Sequence, residues 1–454
     1  MNQTNITDMT KGNAAGHIMR VAIPLLIGNL FQQFYNLVDS IVVGNYVSAD
    51  ALAAVGSCGS IQFLLFSLCL GLSIGIGIMV SQYFGAGEEK MLKHIIANAL
   101  CAILITAIFT GLIGFVFAPH ILKLLSTPEN LIADASCYLR TVCMGSIAFA
   151  LYNGVAGILR ALGDSKTPLY FLVLSSFVNV SLDLLFVLKF GLGVFGVALA
   201  TVIAQVVAAV VCILYAYLKV PYFRVSKKEF YIDFKVITKL FKLGIPIAMQ
   251  NFMIALSCVV LQGVVNRFGN TVMAAYTIIG RIEQIIQQPF GSLSTALTIF
   301  VGQNMGARKL DRVKEGYYKS IIMIFIFSMV MIPIAWLFGG QIVGIFVKDA
   351  EVIAVAKHAL RITSCCYFGL GMIYLPRAVL NGSGDTGFAM INGITEVVCR
   401  IGYSQIFIRI PVLGFWGIWV TTGVTWVTTA IICIMRYSSG KWKTKVIAEK
   451  KIEA

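Results

Sequence analysis

Apolar residues along this chain fall in twelve long blocks, at approximately 18–43, 52–80, 95–117, 131–158, 168–188, 194–218, 240–266, 272–302, 317–339, 352–376, 388–408 and 413–435. A helix needs about 20 apolar residues to cross a bilayer, so each block predicts a membrane-spanning helix. Twelve crossings with short connectors use up nearly all of the 454 residues. The expected fold class is therefore an all-α membrane protein with twelve transmembrane helices. The longest polar connector, VPYFRVSKKEFYIDFKVITK at 220–239, divides it into a six-helix lobe at 1–219 and a second at 240–454, which ends in a basic tail.

Composition agrees: 58% of residues are hydrophobic and only 12% charged, about half the charged fraction of soluble proteins. A water-soluble enzyme of this make-up would aggregate. The net charge of +15 would suggest nucleic acid only if a soluble module carried a basic face, and there is none. In a membrane protein the same excess sets topology. With the N-terminus in the cytoplasm, 25 Lys and Arg fall on the cytoplasmic side, among them Lys227 and Lys228 of the linker and Lys450 and Lys451 of the tail. Only Lys123, Lys189, Arg267, Lys348 and Arg409 fall opposite. Both termini and the 220–239 linker are thus expected in the cytoplasm, with the chain in the plasma membrane. The first seventeen residues are polar and lack the apolar stretch of a signal peptide, so they are expected to stay on the chain.

Six spans per lobe suggest a duplication, and the motifs bear this out. VSQYFGA at 80–86 aligns with VGQNMGA at 301–307, LRALGDS at 159–165 with LNGSGDT at 380–386, and GVFGVA at 193–198 with GFWGIW at 414–419, all at a shift of 221. Pro24 and Pro246 align at 222. Several anchors at one spacing are the mark of an internal repeat. An even number of spans per repeat makes the halves parallel, two bundles related by a pseudo-two-fold along the membrane normal, with a substrate cavity expected between them.

Charge inside lipid is costly, so intramembrane acids mark candidate function. Asp39 and Asp183 lie well inside the first and fifth spans, and their repeat partners are Leu261 and Ser404. Asp39 follows Tyr35 by four residues and Asp183 follows Asn179 by four, which puts each pair on one helix face. If those helices pack together, desolvation and a second nearby carboxylate disfavour ionisation and bring proton uptake within physiological pH. The same two carboxylates, with Asn179 and the Thr201 hydroxyl, offer an all-oxygen site for sodium. The alternative is a polar network that only locks helices together. Confinement of the acids to one half favours function.

Glu396 precedes Arg400 by four residues, which suits an ion pair on one helix. Glu283, Gln284 and Gln287 in the eighth span, with Gln32 and Asn153 in the first half, are further candidates to line a substrate cavity, as are Glu396 and Arg400. Asp164 and Asp385 sit in Gly-Asp loops and read as turn residues. Pro24 and Pro246 each remove a backbone donor early in the first span of a half and allow a bend. No phosphate loop and no H-E-x-x-H or H-x-x-E-H site occurs, and the four histidines are scattered, so neither an ATP-driven pump nor an enzyme is expected, and no cofactor. Cys58, Cys69, Cys101, Cys143, Cys212, Cys258 and Cys433 lie in apolar runs and read as small buried hydrophobes; core packing is also the reading for the vicinal Cys365 and Cys366.

Together, IPLLIGNLFQQFYNLVDSIVVG, VSQYFGAG with VGQNMGAR, LRALGDSKTP with LNGSGDT, and NVSLDLLF resemble the multidrug and toxic compound extrusion (MATE) transporters over nearly the whole chain, most of all the bacterial DinF-like and MepA-like branch. The resemblance implies a secondary antiporter that expels small amphipathic organic cations against protons or sodium, working as a monomer in the lipid bilayer without nucleic acid. It implies a cation site at Asp39, Asn179, Asp183 and Thr201, with Tyr35 beside it and Pro24 as the bending point. The NorM-like branch carries acids on its seventh and tenth spans; the corresponding segments here contain none. The rival reading is a flippase for a lipid or lipid-linked saccharide. It would want a strongly basic cavity, and few cations lie deep in these spans.

Overall fold

Helix starts and stops follow from local chemistry at the connectors. In the computed structural model, which describes residues 5–124, 127–225 and 231–448, Ser48 Oγ accepts from Ala51 N at 2.9 Å and starts the second helix, α2 (Ala49–Ala86). The first, α1 (Ala14–Tyr46), runs unbroken through Pro24. Then come α3 (Glu89–Leu124), α4 (Glu129–Met144), α5 (Ser146–Ala161), α6 (Lys166–Leu184) and α7 (Gly193–Lys219). The second half contains α8 (Phe234–Val265), α9 (Asn270–Gly306), α10 (Leu310–Gly344), α11 (Ala350–Ser364), α12 (Tyr367–Ser383), α13 (Gly387–Phe407) and α14 (Gly417–Ser438). No strand occurs among the described residues.

Among the described residues, fourteen α-helices make twelve spans because the fourth and tenth, each expected as one run, are both broken. The α4–α5 pair bends by 48° at Gly145. Gly145 sits near ψ 0°, and a Cβ there would meet Val202 at 2.8 Å, so its missing side chain is what lets α7 approach the bend. The break between α11 and α12 falls at Cys365 and Cys366, which are 221 residues after Met144 and Gly145. The duplication has carried the break with it. This position also corrects the core reading of the cysteines. Cys365 is exposed at the break, Cys258 is exposed on α8 and Cys101 is half-buried, whereas Cys58, Cys69, Cys143, Cys212 and Cys433 are buried as expected.

Among the described residues, eight helices, or nine spans with the bent α4–α5 pair, are long and apolar enough to cross a membrane on their own. The α9, α11–α12 and α13 spans are more polar because they carry Arg281, Glu283, Lys357, Arg361, Glu396 and Arg400. These complete the set of twelve.

The residues pack into two compact units. One holds Ile23–Ala248 with short stretches from both termini, and the other holds Thr10–Ala22 and Met249–Ile447. The boundary runs within α1 and α8, two residues from Pro24 and two from Pro246. Residues 226–230 of the linker, with Lys227 and Lys228, and Lys450 and Lys451 of the tail, lie outside the described residues. Past the linker, Asp233 starts α8 by accepting from Lys235 N at 2.8 Å, and its side chain meets His94 at 3.3 Å. Desolvation opposes ionisation there, but the N–H groups of Lys235 and Val236 and the His94 ring hold the Asp233 carboxyl below its usual range.

Both Gly-Asp loops are helix terminators of one design. Gly163 (φ 91°) and Gly384 (φ 98°) are left-handed, and the next N–H, of Asp164 and Asp385, bonds back to Leu159 and Leu380. Asp164 then caps α6 through Thr167 N at 3.0 Å and takes a hydrogen bond from Thr167 Oγ1 at 2.6 Å. Asp385 does more than form a turn: Arg436 grips it with Nε to Oδ2 at 2.8 Å and Nη2 to Oδ1 at 3.1 Å. In the first half the equivalent of Arg436 is Tyr215, whose hydroxyl points to Asp164 at 3.5 Å.

Tight helix pairs rest on glycine. A Cβ on Gly382 of α12 would meet Thr298 O of α9 at 2.6 Å. Gly382→Ala is expected to destabilise the second unit by about 1–3 kcal/mol, because rigid backbone must move. Thermal unfolding in detergent checks this, with Gly387→Ala, where nothing lies within 4 Å, as the unaffected comparison.

Candidate functional site

The site grows from two helices of the first unit. On α1, Tyr35, Asn36 and Asp39 recur at helical spacing and face a cavity of about 420 Å³. On α6, Asn179 and Asp183 lie one turn apart behind Asp39 and are 2% and 0% exposed. Immediately after Asp183 the helix widens into a π-helical turn, Leu185–Lys189, with Phe190 N bonding back to Leu185 O at 3.2 Å. Such turns recur at functional sites. Around the end of α1 a dry cluster including Val42, Val43, Cys58, Val187 and Val197 closes in. It leaves the Asp183 carboxyl little water.

Asp39 and Asp183 face each other within hydrogen-bonding range. Two carboxylates cannot donate to one another, so a bond across this gap exists only when one of them holds a proton. Among the described residues, Asp39 Oδ1, both carboxyl oxygens of Asp183 and both amide atoms of Asn179 have no hydrogen-bond partner. A structural network would satisfy its polar atoms. No Lys or Arg lines the cavity among the described residues, so its charge is negative and uncompensated.

The other first-half candidates divide. Gln32, Tyr35 and Thr201 line the same cavity as Asp39. The Thr201 hydroxyl donates to Val197 O at 3.0 Å, and its lone pairs remain available as an acceptor. Asn153 is not among the lining residues; its side-chain amide donates to Phe149 O at 2.8 Å, and its main-chain carbonyl accepts from Ser73 Oγ at 2.7 Å. Sequence reasoning missed Tyr138 on α4 and Gln205 on α7, which also line the cavity. Gln205 could have been found, since it follows Thr201 by one turn. Tyr138 is brought in only by the packing of α4.

The second-half candidates form separate arrangements in the second unit. Glu396 and Arg400 make a buried ion pair at 3.0 Å on α13, and Arg400 Nη1 reaches Cys258 Sγ on α8 at 3.8 Å. Glu283 has one carboxyl oxygen without a partner. Gln287 accepts from the Tyr374 hydroxyl at 3.3 Å, and Gln284 O accepts from Gln288. Arg400 is the repeat equivalent of Asn179. Both halves therefore bury polar groups on this helix, but the ion pair of the second half cancels its own charge.

A multi-pass helical membrane protein with duplicated six-span halves and an acid on a cavity, backed by a second, buried acid, has the architecture of a membrane transporter. Comparison with known proteins supplies the family. The MatE family profile matches residues 24–185 and again 246–406, two copies offset by the same 221–222 residues as the motifs. The chain belongs to the MatE family of multidrug and toxic compound extrusion transporters. It is similar to the probable multidrug resistance protein YoeA of Bacillus subtilis, 29% identical over 94% of this chain and 93% of the relative. It is also similar to the multidrug export protein MepA of Staphylococcus saprophyticus, 24% identical over 90% of this chain and 89% of the relative. Its fold matches a crystal structure of a MATE protein in a bent conformation with a TM-score of 0.91, at 23% identity over 98% of this chain and 100% of the other.

Proposed function

We propose that this chain is a secondary multidrug exporter of the plasma membrane that exchanges amphipathic organic cations for protons or sodium by alternating access. Asp39 and Asp183 are the exchange site. The observation that carries this reading is the acid pair, Asp183 buried and Asp39 half-buried, with orphaned oxygens beside a cavity that no lysine or arginine lines among the described residues. Such a pair must be compensated by a proton, a metal cation or a cationic substrate, and the three compete for the same charge. Oxygen donors alone, from Asp39, Asp183, Asn179 and Thr201, suit a hard ion such as sodium.

Competition couples the two fluxes. A ligand shifts a two-state equilibrium only by its differential affinity for the states, so ion uptake from outside releases the organic cation outward. Pro24, fifteen residues before Asp39 on α1, supplies the point at which that helix bends. The positive-inside bias supports cytoplasmic termini, and the presence of both repeats in one chain supports a transporter that works as a monomer. The same cavity argues against a phosphate-bearing lipid-linked saccharide as cargo, because no lysine or arginine lines it among the described residues.

Efflux of a fluorescent organic cation such as ethidium from proteoliposomes, under imposed proton and sodium gradients in turn, tests this. One gradient is expected to drive efflux, and Asp39→Asn and Asp183→Asn to lose it. Absence of efflux under both gradients, from folded protein, would overturn the proposal.

A further inference from the structure

The corner between α9 and α10, in the second unit, has a charge that folding does not require. Arg308, Lys309, Arg312 and Lys314, joined by Lys443 from the C-terminal tail, surround a cavity of about 490 Å³ with Asp311 as its only carboxylate among the described residues. Lys314 pairs with Asp311 at 3.0 Å, Lys309 Nζ donates to Thr10 O at 2.9 Å, and Arg312 donates to Asn304 Oδ1 at 3.2 Å and lies 3.9 Å from Glu315. Five basic side chains thus line this corner against Asp311, with Glu315 beside Arg312. The duplicated corner of the first half is the opposite. There the equivalents of Arg308, Lys309 and Leu310 are Gly87, Glu88 and Glu89. Gly87 adopts φ 75° without strain, whereas Arg308 takes the same left-handed turn at φ 60° with a side chain attached. An arginine stands where the fold prefers glycine.

What adjoins this corner distinguishes between ligands. Below Lys314, at helical spacing on α10, Tyr318, Ile322, Phe325 and Ile326 are all about half exposed or more, and most of the apolar stretch of α10 is unburied. A basic cavity at the helix end therefore continues into an apolar stripe facing the hydrocarbon, which matches a molecule with an anionic head and acyl tails. We propose that this corner is a binding site for an anionic phospholipid, its phosphate held among Arg308, Lys314 and Lys443 and its chains lying along α10.

Full-length protein in nanodiscs of equal parts phosphatidylglycerol and phosphatidylcholine, followed by native mass spectrometry of retained lipid, tests the site. Basic residues at a membrane surface each add to anionic-lipid attraction, so the triple variant Arg308→Gly, Lys314→Gln, Lys443→Gln is expected to lower phosphatidylglycerol enrichment about tenfold or more. Arg308→Gly restores the residue of the first half, so folding is expected to be kept; thermal unfolding of Arg308→Gly alone checks this, and that single variant is expected to show a partial loss of enrichment. Equal enrichment in the folded single and triple variants overturns the proposal. Thermal stabilisation of detergent-solubilised protein by inorganic phosphate as large as that by phosphatidylglycerol would identify free phosphate as the ligand and overturn the lipid assignment.

Discussion

Arg400→Met is expected to destabilise the protein by about 3–5 kcal/mol, while Arg400→Met combined with Glu396→Leu should return it to near the parent value. Both side chains are buried, 8% and 7% exposed, and their 3.0 Å contact lies within one helix. Removing the guanidinium strands a carboxylate in an apolar interior; removing both groups leaves nothing to desolvate. Thermal unfolding of the single and double variants in detergent measures the difference. Additive losses in the double variant would show that each group is held by something other than its partner. The contrast with the first half is the point: here charge is cancelled locally, and its removal is a question of stability.

The second large effect runs the other way. Asp39→Asn and Asp183→Asn are each expected to abolish coupled transport, by about 100-fold or more, yet to leave the folded protein as stable as the parent or more so. The facing carboxyls repel when both are ionised, and at least three of their four oxygens lack a protein donor, so an isosteric amide removes repulsion without breaking a bond. A structural network would respond in the opposite manner, losing stability while transport was affected only in proportion to folded protein. Transport assays and thermal unfolding on the same preparations separate the two.

Much of this was legible because duplication and membrane burial leave strong marks. Motifs at one spacing located the two halves, and Asp39 and Asp183 stood out because charge inside a lipid span needs a reason. Four-residue spacings put Tyr35 with Asp39 and Asn179 with Asp183 on shared faces, and the helices hold those faces as expected. The breaks at Gly145 and Cys366 were not legible, because both lie in continuous apolar runs and arise from how α4–α5 and α11–α12 pack. Tyr138 entered the cavity for the same reason. Asp385 read as a turn residue because its partner Arg436 lies 51 residues away, a distance that no local pattern bridges. The reversal of charge between Gly87-Glu88-Glu89 and Arg308-Lys309-Leu310 was present in the alignment of the halves, but acquires meaning only with the cavity around it.

The central claim is that the Asp39–Asp183 pair exchanges an inorganic cation for an organic one. It is tested most directly by the affinity of purified protein for a fluorescent organic cation, measured as pH is lowered from mildly alkaline to mildly acidic and, separately, as sodium is raised. Protonation or sodium binding removes the negative charge that holds the substrate, so affinity is expected to fall along one of these axes in the parent protein and to be weak and flat along both in Asp39→Asn. Affinity in the parent that ignores both pH and sodium, or a variant that keeps the parent's dependence, would contradict the account.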